Sequence, residues 1–368
     1  MKVALVHDHL NQLGGAETVL KSFTRIFPDA PIFTLIYDEE KTNHLFRDTR
    51  ITESFLANLP LARRKFRWFL PLMIAATESY DLSAYDVVLS DSSGLAKGVI
   101  THPGTLHIDY CHTPTRYLWS DHNLIIDKLE SRWLIRRLSQ AFKGYLRVWD
   151  RIAADRVDIF LANSQHVADR IKKYYRRDST VIPPPIDIAP YSVSSRHDGF
   201  YLIISRLRPY KRVEMAVQAF NKLNLPLVVI GSGEEEKALR RISKPNITFL
   251  GWVDDATKID YLKRCTALIH PQVEDFGITP VEAMACGKPV IAYQAGGAAE
   301  TVVHGTTGVL FEEQSWEALA DAVIRLRTRT FDPLVIRKHA ESFSEEVFHQ
   351  RIKDFVVEAW QKSQSKTY

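Results

Sequence analysis

The chain has 368 residues, of which 45% are hydrophobic and 25% charged, and its formal net charge is +4. That is the composition of a folded globular protein long enough for two domains, and it excludes a largely disordered chain. A charge excess this small, without a recognised nucleic-acid motif, gives no support to nucleic acid as a partner.

The first segment, MKVALVHDHLNQLGGAETVL, reads as a buried strand, a turn at Gly14 and Gly15, and a helix starting near Ala16. The glycine pair is not the six-residue dinucleotide fingerprint, because the third glycine is missing. Asp8 and two histidines within the first nine residues leave no signal-peptide core, so secretion is not expected. His7, Asp8 and His9 alternate like metal ligands. Strand alternation, however, sends the two histidines to one face and Asp8 to the other, so no metal site is expected there.

ARRKFRWFLPL, from Ala62, sets Arg63, Arg64, Lys65 and Arg67 beside Phe66, Trp68 and Phe69. The longest apolar run, 68–76, contains a proline and is far shorter than the roughly 20 residues of a membrane-spanning helix. LAKGV at Leu95 and YCHTPTRYLW at Tyr110 follow. From Lys128 to Arg156 eight Lys and Arg stand against three Asp and Glu. At about 100° per residue, Leu134, Leu138, Phe142, Tyr145, Leu146, Trp149 and Ile152 share one helix face, and Arg132, Arg136, Lys143, Arg147 and Arg151 gather on another. A helix packed on a domain shows the same division. Two basic, aromatic patches in one domain tilt the reading towards an anionic membrane surface.

ANS at Ala162 and VIPPPID at Val181 lead into a proline-rich linker at 183–190. Strand–helix alternation before it gives one doubly wound domain. A second α/β domain follows, with strands expected at 200–204, 227–230, 247–249, 267–270 and 289–292. SRLRPYKRVEMAVQAF at Ser205 places Arg206 and Lys211 in the loop after the first of these strands, where open α/β sheets usually bind ligands. PQVEDFGITPVEAMACGKPVIAYQAGGAAE at Pro271 carries two carboxylates, Glu274 in a loop and Glu282 in a helix expected to begin at Pro280, which places Glu282 in its first turn. Free amides at Gly277, Ile278 and Thr279 then face an anion, and flanking carboxylates suit hydroxyls, so the segment suits a nucleotide sugar. An ordinary exposed loop and acidic first turn would read the same way if this segment stood alone. Asp254-Asp255 looks superficially like a metal clamp. Cys111, Cys265 and Cys286 lack metal-ligand or C-x-x-C spacing and read as buried thiols in a reducing compartment.

Taken together, Ser205-Arg206 with Lys211, Gly231-Ser-Gly233, Glu274-x7-Glu282, Gly287-x-Pro289 and Gly296-Gly297-x-x-Glu300 resemble the retaining GT-B enzymes of glycosyltransferase family 4. Gly14-Gly15, LAKGV, YCHTPTRYLW, ANS and VIPPPID resemble the bacterial branch that uses GDP-mannose to build polysaccharide on a lipid carrier. The resemblance runs essentially end to end. It implies two Rossmann-like domains with a cleft between them: an acceptor domain at 1–185 with a basic helical region at about 120–156, a nucleotide-sugar domain at 186–344, and a helix at 345–368 that returns to the first domain.

The resemblance also implies roles. Gly14 and Gly15 bring backbone amides to the donor phosphate, and Arg206 and Lys211 neutralise the pyrophosphate. Val253 touches the base through its backbone. Glu274, Phe276, Gly277, Ile278 and Thr279 hold the sugar and phosphates, and Glu282 holds the ribose. His112 stabilises the transition state, so His112, Glu274, Arg206 and Lys211 form the catalytic set. Lys97 and Arg116 are the acceptor candidates. Arg63, Arg64, Lys65, Arg132, Arg136, Lys143 and Arg147 are the membrane candidates. No metal or other cofactor is expected, and the protein is expected in the cytoplasm on the inner face of the membrane, with a lipid-linked glycan as acceptor. A UDP-sugar transferase, a sugar-nucleotide 2-epimerase and a non-catalytic nucleotide-sugar scaffold remain open. Intact Arg206, Lys211, Glu274 and Glu282 argue against the last.

Overall fold

The computed structural model describes residues 1–120 and 133–365. The chain forms two compact units, one of Met1–Pro185 with Phe348–Tyr368 and one of Ile186–Val347.

The first unit is built on seven parallel strands: β1 (Val3–His7), β2 (Ile32–Thr34), β3 (Ile51–Glu53), β4 (Val87–Ser92), β5 (Leu106–Cys111), β6 (Ile159–Ala162) and β7 (Ser179–Val181), in the order β3-β2-β1-β4-β5-β6-β7. Strand order reverses between β1 and β4, so the loops after these strands open a crevice at their carboxyl ends. The register sets His7 beside Asp91 and Asp91 beside Tyr110. β1 is buried along its whole length, as a central strand covered on both faces must be. It ends at His7, so Asp8 and His9 lie beyond the strand and do not follow its alternation. Asp8 accepts the amides of Ser93, Leu95 and Ala96, whereas the His9 ring stacks on Phe66.

The last helix, Glu345–Ser365, buries Phe348, Ile352, Val356 and Ala359 in a cluster with Val3, Leu5, Phe23 and Tyr110. These four residues recur at helical spacing, so one stripe of the helix is dry. The basic helix, Trp133–Asp155, buries Leu146, Trp149 and Ala153 against Leu56, Met73, Ile74 and Leu118. The expected apolar face is therefore divided: Tyr145 and Ile152 are exposed together with Val148.

The second unit has six parallel strands: β8 (Tyr201–Ile204), β9 (Leu227–Ile230), β10 (Ile247–Gly251), β11 (Ala267–His270), β12 (Val290–Tyr293) and β13 (Gly308–Phe311), in the order β10-β9-β8-β11-β12-β13. Here the switch falls between β8 and β11. The helix Val213–Leu223 packs Val213, Ala216, Val217 and Phe220 into the core beside Tyr201 and Val229. Truncating a side chain as enclosed as Phe220 to alanine costs about 3–5 kcal/mol.

Candidate functional site

In the second unit the loops after β8 and β11 bring the expected donor residues together. Lys211 Nζ and Glu274 Oε1 form an ion pair, and Gln272 Nε2 donates to the same oxygen at 2.9 Å. Burial alone would raise the Glu274 carboxyl, but His270 and Lys211 bring it down to about 2, so the group is a carboxylate. Arg206 is exposed, and its guanidinium has no partner among the described residues.

The Glu274 loop takes its shape from Gly296 and Gly297. A Cβ on Gly296, whose φ is +67°, would lie 2.4 Å from the Glu274 carbonyl, and one on Gly297 would lie 2.3 Å from the Phe276 Cα. The Gly297 amide donates to the Glu274 carbonyl at 2.9 Å. Phe276 points into the core, with its ring edge-on to Phe343, so it shapes the loop through its backbone.

The following helix is Ile278–Ala285, not one beginning at Pro280. Gly277 is its N-cap in the left-handed region, with φ +91°, a turn that lets the helix start two residues earlier. Pro280 is tolerated in the third position because that amide would lack an intrahelical acceptor anyway. Glu282 consequently lies just past the first turn. The expected free donors, the amides of Gly277, Ile278 and Thr279, have no intrahelical carbonyl to meet. Glu282 accepts the Tyr191 hydroxyl at 2.7 Å and Lys258 Nζ at 3.1 Å. Val253 is half-buried just after β10.

Two buried residues beside this helix end escaped the sequence reading. The Glu274 carboxylate only accepts, so the Gln272 amide nitrogen must face it. The same nitrogen lies 3.1 Å from His270 Nδ1, which is therefore the acceptor and leaves the ring proton on Nε2. Burial pushes the His270 imidazole down to about 4, so the ring is neutral near pH 7 and charged only in the acid range where Glu274 takes up its proton. His270 Nε2 has no partner among the described residues and lies 3.6 Å from where a Gly277 Cβ would be. His270 carried a signal, as the last residue of a buried strand at the switch point; Gln272, Tyr191 and Lys258 carried none.

In the first unit His112 follows β5. Its Nε2 meets Asp91 Oδ1, and its carbonyl accepts Asn163 Nδ2 at 3.0 Å. Burial would lower the His112 pKa, but the Asp91 carboxylate raises it. Gly14 caps the helix Gly15–Ile26 in extended backbone, so both glycines lie at the mouth of the β1 crevice. Arg116 begins a single helical turn, Arg116–Trp119. Lys97 departs from its expected place at the acceptor. It is 1% exposed, with Nζ 2.6 Å from Asp150 Oδ1 and bonded also to Thr115 Oγ1 and the Gly94 carbonyl. Asp150 further accepts Thr115, Trp119 and Tyr175, so Lys97 anchors the turn that carries Arg116 and has no open face of its own.

The membrane candidates divide. Arg63 is tied to Glu53 at 2.7 Å and to the Tyr37 carbonyl. Arg64 is exposed, and Lys65 Nζ sits 3.9 Å from the centre of the Trp68 ring, itself 71% exposed. Arg147 turns inward, donating to the Leu118 carbonyl at 3.0 Å, and Lys143 is half-buried. Arg132 lies outside the described residues, and Arg67 and Arg136 are described by their backbone alone. No described helix is long and apolar enough to cross a membrane.

Residues 13–190 match the family model Glycosyltransferase Family 4, and residues 192–346 match Glycosyl transferases group 1. Among curated proteins the chain is similar to N-acetyl-alpha-D-glucosaminyl L-malate synthase of Bacillus anthracis, 29% identical over 197 residues, which are 51% of this chain and 49% of that protein. It is also similar to the GDP-mannose-dependent monoacylated alpha-(1-6)-phosphatidylinositol monomannoside mannosyltransferase of Corynebacterium glutamicum, 29% identical over 202 residues, 46% of this chain and 53% of that one. The chain thus spans about half the length of these curated relatives. In fold it is similar to Anabaena HepE in complex with UDP, with a TM-score of 0.73 at 20% identity, covering 97% of this chain and 100% of that one. With two parallel Rossmann-like sheets and both family domains in order, the chain belongs to the GT-B glycosyltransferases of family 4.

Proposed function

We propose that the chain is a retaining hexosyltransferase that moves mannose from GDP-mannose to a lipid-linked or oligosaccharide acceptor in cell-surface polysaccharide assembly. The observation that carries this reading is the group at the β8–β11 switch: an unpaired Arg206, a Lys211–Glu274 ion pair and free helix amides. That group supplies positive charge and directed donors for a pyrophosphate, with carboxylates for hydroxyls beside them. Mannose and GDP are preferred because a relative matching over half its length is a GDP-mannose-dependent mannosyltransferase.

In this mechanism Arg206 and Lys211 meet the charge that grows on the leaving pyrophosphate, which removes the need for a metal. Glu274 takes sugar hydroxyls and Glu282 takes the ribose, so neither serves as a nucleophile and retention proceeds by front-face substitution. The leaving phosphate helps to deprotonate the acceptor, and His112 stabilises the oxocarbenium-like centre. The exposed Trp68, Tyr145, Val148 and Ile152 beside basic residues support work at the anionic inner face of the membrane.

A donor screen tests the proposal. Thermal shift and sugar-transfer assays with GDP-mannose, UDP-glucose, UDP-N-acetylglucosamine and ADP-glucose should favour GDP-mannose, with and without EDTA. Preference for a UDP-sugar would replace the donor, and that second reading has its own support in the fold match to a protein crystallised with UDP. Isomerisation without any acceptor would indicate an epimerase.

A further inference from the structure

The transfer reaction proposed above makes use of His112 but gives no work to three buried ionisable groups beside it. His7, the last residue of β1, is 3% exposed and has a carboxylate at each ring nitrogen. Nδ1 lies 2.8 Å from Asp91 Oδ2, and Nε2 lies 3.8 Å from Glu17 Oε1. A neutral imidazole has one N–H and would turn a lone pair towards one of these anions, whereas the imidazolium presents a proton to both. Two enclosed carboxylates also need a cation, since an uncompensated buried charge is strongly destabilising. Burial on its own would push the His7 pKa down, but Asp91 and Glu17 raise it to about 10.

The contacts form a continuous chain. Asp91 divides its oxygens, Oδ2 to His7 and Oδ1 to His112 Nε2, so His7 fixes the rotation of the carboxylate that holds the His112 ring. At the other end Glu17 lies in the first turn of the helix after the glycine pair, and Gln12 donates to its Oε1 at 3.3 Å. A Cβ on Gly14 would come 3.2 Å from Glu17 Oε2, so the glycine loop and this carboxylate are in close register.

Resting on the glycosyltransferase reading, we propose that His7 is a positioning residue for sugar transfer: a buried imidazolium that fixes the Asp91 carboxylate with one oxygen aimed at His112 and, through Glu17, ties the Gly14–Gly15 loop to the same assembly. Asp91 then holds the Nε2–H tautomer of His112 and leaves Nδ1 as the nitrogen with the free lone pair when the ring is neutral. The loop and the histidine are held by one set of charges.

The charged and titratable groups facing this assembly are few. His112 sees Asp91, His7 and Asp8, with the Tyr110 ring edge-on at 5.3 Å. Asp8 is already satisfied by three backbone amides. His7 sees Asp91 and Glu17. Removing the His7 charge therefore takes away its repulsion of His112 and leaves Asp91 to that ring alone, which raises the His112 titration midpoint. Removing the Asp91 charge lowers it.

The test uses the full chain, with imidazole nitrogen NMR of His112 and steady-state transfer measured on the same variants. In His7→Gln the His112 midpoint should rise and its tautomer signal should become mixed. In Asp91→Asn the midpoint should fall. His7→Gln should lower kcat roughly 100-fold, the size of effect a small misplacement produces, with donor KM changed less than about threefold. If His7→Gln does not fold, His7→Gln with Glu17→Gln removes one charge of each sign and should show the same NMR change and kcat loss. A folded variant with the His112 midpoint and tautomer of the wild type would overturn the proposal. The NMR measurement needs no donor, so it reads the coupling even if no nucleotide sugar is turned over, an outcome that would count against the proposed reaction alone.

Discussion

Lys211 and Glu274 hold each other across the switch point of the second unit, although the proposed reaction needs one for phosphate and the other for sugar hydroxyls. The pair is mostly buried, which makes each partner costly to strand. In the proposed reaction the nucleotide sugar would resolve this by giving each a partner of its own, the pyrophosphate for Lys211 and hydroxyls for Glu274.

Arg206→Ala and Lys211→Ala should each cut kcat by about 100- to 1,000-fold, or roughly 3–4 kcal/mol, because each cation meets charge that develops in the transition state. The two variants should differ in their pH dependence. Removing Lys211 withdraws one of the charges that hold the Glu274 carboxyl down to about 2, so the acid limb of the rate profile should move to higher pH in Lys211→Ala and stay in place in Arg206→Ala. Near wild-type kcat at saturating donor in either variant would refute the pyrophosphate assignment.

The two carboxylates should separate by binding. Glu274→Ala should abolish transfer while affinity for free GDP hardly changes, and Glu282→Ala should mainly weaken GDP. Tyr191→Phe, which removes the 2.7 Å hydrogen bond to Glu282, should weaken GDP by a smaller factor, on the order of 1 kcal/mol. Calorimetry with free GDP reads all three variants, and the reverse pattern would exchange the roles of Glu274 and Glu282.

Local sequence signals went far in the second unit because its strands, apart from the edge strand β10, are buried on both faces and read as short apolar runs; only β13, Gly308–Phe311, was absent from the expected set. The helix start at Ile278 was misplaced because proline is common at the first position, whereas the left-handed Gly277 decides the boundary. Side-chain partnerships across the sheet were not legible. Lys97 stands as an acceptor candidate until Asp150, 53 positions later, is seen to enclose it. His7 and Asp91 are 84 positions apart and meet only through the register of β1 with β4.

Stability should decline on the alkaline side because of His7. Its folded-state pKa is raised from 6.5 to about 10, so the folded protein binds the proton more tightly than the unfolded chain. The resulting stabilisation is fully present below pH 6.5 and is lost as pH rises through about 10. Urea unfolding from pH 7 to 9.5 should show this fall in the wild type and a flatter profile in His7→Gln. Parallel slopes in the two proteins would mean that His7 is not a buried imidazolium.

The membrane reading keeps Tyr145 and Ile152 from the helical wheel but loses Arg147 and, from the other basic cluster, Arg63. Arg147 is turned inward and Arg63 is paired with Glu53, so changing them would disturb packing as well as charge. Val148, 60% exposed, with Tyr145, Ile152 and Trp68 forms the exposed apolar part, and Arg64 and Lys65 bring charge to the Trp68 patch. The two segments that carry these residues share one core cluster, which joins Leu146 and Trp149 to Met73 and Ile74. Liposome sedimentation should therefore show binding that needs anionic lipid and weakens as salt screens the charges. Arg64→Glu with Lys65→Glu should reduce binding most at low salt, at about 1 kcal/mol for each lost charge. Val148→Ser with Ile152→Ser should weaken it at all salt concentrations, since burial of an apolar side chain is worth up to about 1.5–3 kcal/mol and is not screened. Donor hydrolysis in lipid-free buffer should survive both pairs of changes. Anionic-lipid binding equal to wild type in both double variants would assign these residues to the surface of a domain with no membrane role.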